Sequence, residues 1–186
     1  LPVVLAGPNS STELSYYGHK RTLGTLYWEN VEGLKRAARI FAAPDAKEAL
    51  HLIQEAGVTH ILVATWDDFG MDYVKLLEQS GEISEAPPEP FVKSLLDGAE
   101  PPDWIRPLYY PVPATFGLDG AEVRIFAVMP LQSRFDALIH RGIYQHDAGN
   151  AEEAKKIFQR ALELSPNDQR ASDGLRAAEL LSTKAS

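Results

Sequence analysis

Residues 44–64 leave few folds open to this chain. Pro44-Asp45 opens an amphipathic segment, and Asp45 with Glu48 stands at the spacing of a capping box. Ala46, Ala49, Leu50, Ile53 and Ala56 then recur at i, i+3, i+4 and i+7, the apolar stripe of a helix. Gly57 stops the pattern, and Thr59 to Ala64 reads Thr-His-Ile-Leu-Val-Ala, a continuous apolar strand. Helix, glycine and apolar strand in this order mark a βαβ-type layer whose strand is buried on both faces.

The flanking segments extend the same scheme. Pro2 to Ala6 is a short apolar strand closed by Gly7-Pro8. Asn9 to Thr12 reads as a loop and helix cap, Glu13 to Tyr17 as a short helix ended by Gly18, and Arg21 to Leu26 as a second strand. Asn30 is positioned to cap a helix from Val31 to about Ala42, and a further helix is expected from Met71 to Gln79. Gly81 to Glu89 is a loop rich in Pro and acid, Phe91 to Leu96 a short helix, and Trp104 to Val112 and Glu122 to Val128 two late strands. The pattern predicts an α/β fold: a Rossmann-like three-layer domain with a mixed, mostly parallel sheet over residues 1–131. Residues 132–186 form a separate helical part.

Composition bounds the function. Lys and Arg number 18 against 26 Asp and Glu, a formal charge of −8, which argues against a broad nucleic-acid face because phosphate neutralisation needs clustered cations. Cysteine is absent, so disulfides, Cys-ligated zinc and thiol catalysis are excluded. No apolar run reaches the roughly 18–20 residues of a bilayer span. The chain opens on Leu1 with neither Met nor a basic leader, from which a larger polypeptide with its membrane part upstream is expected.

The helical part has its own signature. Gly142, Gly149, Ala154, Phe158, Ala161 and Pro166 fall at the intervals of the small, turn, aromatic and terminating positions of a TPR repeat, so the segment resembles a single TPR-like α-hairpin followed by a final helix from Asp168 to about Leu181. Leu138 and Gln145 stand where the repeat usually has aromatics. Asn150 with Glu153 has capping-box spacing. One repeat is too few for a concave peptide groove. The hairpin either packs on the α/β part or offers a contact surface, for which Tyr144, Phe158 and Leu175 are the candidate residues.

The order of features in residues 1–130 resembles the soluble C-terminal domain of GT-C-type polytopic membrane glycosyltransferases, the superfamily of oligosaccharyltransferase catalytic subunits. The carrying residues are Val3-Val4-Leu5-Ala6, Ser15-Tyr16-Tyr17-Gly18, Arg21-Thr22-Leu23, Asn30 and the helix leading into Gly57-Val58-Thr59-His60-Ile61-Leu62-Val63. Phe91, Leu95, Gly98, Pro102 and Trp104, with the last strand Val123 to Val128, resemble the tail of such domains. The resemblance implies an extracytoplasmic, periplasmic location as part of a larger membrane protein. It also implies catalytic carboxylates in membrane loops outside these residues, so no catalytic residue and no cofactor is assigned to this chain.

Trp66-Asp67-Asp68-Phe69-Gly70 is similar to the Trp-Trp-Asp-Tyr-Gly signature of that superfamily, which implies acceptor binding. The family's signature follows the first strand, however, whereas here Gly7-Pro8-Asn9-Ser10-Ser11 holds that place. The other reading is a strand-to-helix loop in which Asp67 or Asp68 caps the next helix. Open α/β sheets bind ligands beyond their C-terminal strand ends. That rule makes Asn9, Ser10, Tyr16, Tyr17, Trp66, Asp67 and Asp68 the candidate ligand-binding set, with the aromatics stacking on a glycan or else filling a helix–sheet interface. Asp67, Asp68 and Asp72 lack the spacing of a calcium loop, and no metal site is assigned. The expected role is a non-catalytic accessory domain of a membrane-embedded glycosyltransferase-like protein, with the transmembrane part of the same polypeptide as its partner. The alternative is a protein-interaction module acting through the TPR-like hairpin.

Overall fold

A computed structural model describes residues 1–27, 29–67, 69–113, 117 and 120–185. They form two compact units: residues 1–100 with 112–128, and residues 101–111 with 129–186. The first unit holds β1 (Val3–Leu5), α1 (Pro8–Tyr16), β2 (Arg21–Leu23), α2 (Val31–Phe41), α3 (Ala46–Glu55), β3 (His60–Ala64), α4 (Gly70–Gln79) and α5 (Phe91–Leu96). The second unit contributes β4 (Ile105–Leu108), and β5 (Val123–Val128) returns to the first.

Within the first unit the strands are ordered β2-β1-β3-β5. β1 pairs in parallel with β2 (Leu5 opposite Leu23) and with β3 (Leu5 opposite Ile61), whereas β5 runs antiparallel to β3, with Phe126 opposite Ile61. The sheet is therefore mixed and mostly parallel, as the pattern predicts. The period of two puts Leu5, Ile61, Val63 and Phe126 on one face, all buried, under a layer that includes α2 and α5. Val4, His60 and Leu62 face the other way and are only half-buried. The expectation that β3 is buried on both faces is thus corrected: only the face of Ile61 and Val63 is fully buried. On that second face lies α1, only nine residues long, attached through Thr22 Oγ1 donating to Ser11 O.

The Asp45 cap forms as expected: its Oδ1 accepts from the amides of Lys47 and Glu48, each at 2.9 Å. Gly57 ends the following turn at φ +65°, a conformation that glycine adopts without strain. Three local expectations change. α1 starts at Pro8 rather than near Glu13, because proline at the first helical position needs no amide partner and comes preset in φ. Asn30 does not cap α2; its side-chain amide donates instead to Thr25 Oγ1 at 2.9 Å. β2 ends at Leu23, where Gly24 passes close to Ala37.

The second unit packs α6 (Arg134–Asp147), α7 (Ala151–Leu164) and α8 (Gln169–Ala185) around Phe158, which is 2% exposed. Gly142 and Gly174 both lie against its ring: a Cβ at Gly142 would come within 2.7 Å of the ring, and one at Gly174 would overlap it. Ser133 caps α6 through the Asp136 amide, and Asp168 caps α8, whereas Asn150 gives α7 no side-chain cap and bonds Gln145 instead. Residues 101–111, placed in the first domain by the sequence pattern, cluster with these helices. The buried Arg141 donates to Asp103 Oδ1 at 2.8 Å, the Met129 amide to Trp104 O, and the Gln132 side chain to Asp103 O. These long-range polar contacts leave no periodic signal in the sequence.

Alanine in a helix is favoured over glycine by about 1 kcal/mol. Overpacking costs about 1–3 kcal/mol when the neighbour cannot yield, and the Phe158 ring is enclosed, with Gly174 also against it. Gly142→Ala is therefore expected to lower the unfolding free energy by a net amount on the order of 1 kcal/mol, measured by urea denaturation.

Candidate functional site

β1 and β3 are parallel neighbours, so their C-terminal ends lie side by side and the loops that follow them meet. The first of these loops leads directly into α1. That helix has Gly7 at its N-cap and Pro8 at its first position, so its own sequence supplies no side-chain cap. The Ser10 amide, at the third helical position, has no intrahelical partner. Asp67, from the loop after β3, fills this gap: its Oδ2 accepts from Ser10 N at 3.0 Å. A carboxylate here also sits at the positive end of the helix dipole, where negative charge is stabilised. The fit is close enough that a Cβ at Gly7 would overlap the Asp67 carboxylate.

The candidate ligand-binding residues therefore divide. Ser10 and Asp67 are brought together and bond each other, and Asp67 caps α1 rather than the following helix, whose N-cap Phe69 has no side-chain bond. Asn9 is exposed beside them, and Trp66 is 46% exposed. Tyr16 and Tyr17 lie at the opposite end of α1, about 10 Å away along the helix axis. There they form an edge-to-face pair at 4.9 Å, both well exposed. Asp68 lies outside the described residues. Asp72 pairs with Lys75 at 3.1 Å, on the helix that follows.

Beside Asp67 opens a cavity of about 280 Å³ that sequence patterning did not reveal. Phe41 of α2, Val63 of β3, Met71 of α4 and Val92 and Leu96 of α5 line it, and Asp67 completes the wall. Lys93 and Asp97 contribute an ion pair to the lining. Two polar atoms nearby are enclosed and without a hydrogen-bond partner among the described residues: Asp67 Oδ1 and the Tyr73 hydroxyl. Burial pushes the Tyr73 phenol well above its ordinary range, and the Asp67 charge pushes it in the same direction. The signal that could have located this site is the apolar spacing of Met71, Tyr73, Val74 and Leu77 on α4, which marks a buried face but not a space beside it.

In the second unit, Tyr144 meets Tyr109 edge to face at 6.2 Å. Leu175 packs partly buried against the helical core. Phe158, a candidate contact residue from the sequence, is the centre of that core, so a partner could reach it only by opening the helices. Exposed apolar side chains stand elsewhere, at Ile143, Leu164 and Leu180.

No family model matches the chain, and no curated protein matches it. Among solved structures, the chain is similar to the crystal structure of the C-terminal globular domain of an oligosaccharyltransferase from Archaeoglobus fulgidus. The two are 18% identical, with a TM-score of 0.48, over 68% of this chain and 80% of that one.

Two substitutions separate the roles of Asp67 and Tyr73. Asp67→Ala removes the cap of α1 and is expected to lower the unfolding free energy by about 1 kcal/mol, read by chemical denaturation. Tyr73→Phe deletes an enclosed hydroxyl that has no partner, so it is expected to raise stability by about 1 kcal/mol. The folded-state pKa of Tyr73 is raised. Its contribution is therefore complete below the unfolded-state value of about 10 and is lost as the pH rises beyond it. Tyr73→Phe should flatten that alkaline fall in melting temperature.

Proposed function

We propose that this chain is a non-catalytic extracytoplasmic accessory domain of a membrane-embedded glycosyltransferase-like protein, bracing its membrane core or shaping its acceptor side. The observation that carries this reading is the use made of Asp67. A catalytic carboxylate must be free to exchange protons or partners with a reactant. Asp67 stands in the acidic motif of the family's type, yet its Oδ2 is committed to the Ser10 amide as the cap of α1 and its Oδ1 is enclosed, out of reach of a reactant. The order of features from Val3 to Val128, which resembles the soluble domain of such enzymes, supplies the membrane context. Among the described residues no helix is long and apolar enough to cross a membrane, so the reading requires membrane spans outside residues 1–186.

A second reading, a protein-interaction module built on a TPR-like hairpin, is favoured by exposed Ile143, Leu164 and Leu180, one on each of α6, α7 and α8. It requires a partner whose binding is lost when Ile143 and Leu164 are both changed to Glu while α6–α8 stay folded.

The test of the first reading uses the full-length polypeptide. It should fractionate with membranes and be cut within residues 81–89 by protease added outside intact spheroplasts. Asp67→Asn should leave sugar transfer per folded molecule within about threefold of the parent; a loss on the order of 100-fold, the scale of a removed general acid or base, would make Asp67 catalytic. Recovery of the full-length polypeptide in the soluble cytosol would overturn the membrane context.

A further inference from the structure

The end of α1 and the turn after it leave an aromatic and basic surface open. Tyr16 is 65% exposed and Tyr17 78%, and His19, Lys20 and Arg21, which follow, are exposed as well. Leu26 extends the surface. Its amide donates to Thr12 Oγ1 at 3.1 Å, and Tyr16 stands one turn beyond Thr12 on the same face of α1, about 6 Å along the axis. The turn is held in place. The Lys20 amide donates to Leu14 O at 3.1 Å, and Gly18 passes so close to that carbonyl that a Cβ would come within 2.7 Å of it. His19 takes φ +49°, a left-handed conformation uncommon for a residue with a side chain. A fixed turn, rather than a fraying helix end, thus presents the tyrosines.

The charge of this surface runs against that of the chain. The whole carries −8, yet residues 14–28 contain His19, Lys20 and Arg21 and no acid. Among the described residues neither Lys20 nor Arg21 takes part in an ion pair. Tyrosine and lysine together fit the headgroup layer of a bilayer, where the ring keeps its hydroxyl wet and the cation meets phosphate. A protein–protein contact selects aromatics and arginine but disfavours lysine. An anionic bilayer repels the acidic remainder of the chain, so approach is oriented through this end. Arg21 lies opposite Val3 at the strand starts, at the far end of the parallel strands from the Ser10–Asp67 cap. The surface is therefore separate from that crevice.

We propose that Tyr16, Tyr17, Lys20 and Arg21 rest on a bilayer surface and bind anionic phospholipid headgroups, the two cations at the phosphates and the rings at headgroup depth. The inference rests on the membrane context of the accessory role and adds which end of the first unit meets the lipid.

The test mixes the whole 186-residue chain, labelled with ¹⁵N, with vesicles of phosphatidylcholine alone or with an equal part of phosphatidylglycerol. At low salt the chain should sediment with the mixed vesicles, not with phosphatidylcholine alone, and should come off as salt rises. A spin label on the lipid headgroup should broaden the amides of Tyr17, His19 and Lys20 and spare that of Trp66. Lys20→Gln with Arg21→Gln should weaken binding on the order of 20-fold, about fivefold per cation. Lys35→Gln with Arg36→Gln, on the exposed side of α2, removes the same charge and should leave binding nearly unchanged. No sedimentation with the mixed vesicles at low salt, equal broadening at Trp66 and Lys20, or an equal loss from the two double variants would each overturn the proposal. Such a failure is distinct from failure of the accessory role, which turns on where the full-length polypeptide fractionates.

Discussion

A carboxylate contributed from 57 residues away completes the first helix of the protein. α1 begins with Gly7 and Pro8, a start that fixes the backbone but leaves the Ser10 amide without a side-chain cap of its own. Asp67 supplies the cap, and the arrangement constrains both loops at once. Gly7 must lack a side chain because the carboxylate occupies that space. The loop after β3 must turn back toward β1, which it can do because the two strands are parallel neighbours. The crevice beyond the strand ends, where an open α/β sheet usually presents its ligands, is here tied across by the protein itself. What remains open is the cavity on the other side of Asp67, under α4 and α5.

The second unit depends on a different constraint, the shape of one aromatic ring. Phe158 is enclosed because two helices offer it glycine rather than any larger residue, Gly142 from α6 and Gly174 from α8. Close packing of this kind turns a small residue into a steric requirement. Polar contacts finish the unit: Arg170 bonds both Asp136 and Asp168 and stacks over Phe135 at 5.0 Å, joining the starts of α6 and α8.

Much of this was legible in the residues, and the parts that were not share a cause. The Asp45 cap and the Gly57 stop are local, and periodicity or spacing exposes them directly. The spacing of Gly142 and Phe158 likewise anticipated a close helix contact, though not that it would withdraw Phe158 from any partner. The start of α1 is hidden in the sequence because Asn9, Ser10 and Ser11 look like loop and cap residues. Pro8 in fact begins the helix ahead of them, and the cap comes from Asp67. The role of Asp67 is hidden for the same reason: its partner is remote in sequence, and an acidic residue before a helix suggests the local cap. The Arg141–Asp103 pair, which draws residues 101–111 to the helical unit, and the cavity itself arise only when distant segments meet. No window of sequence contains them.

The central claim is that Asp67 holds the first turn of α1, and amide hydrogen exchange at single-residue resolution tests it most directly. Asn9 and Ser10 are adjacent first-turn amides, neither with an intrahelical acceptor, and only Ser10 N donates to the carboxylate. The account predicts that the Ser10 amide exchanges much more slowly than that of Asn9, at a rate approaching that of the buried Ser11 amide, which bonds Gly7 O. Equal, fast exchange at Asn9 and Ser10 would contradict it.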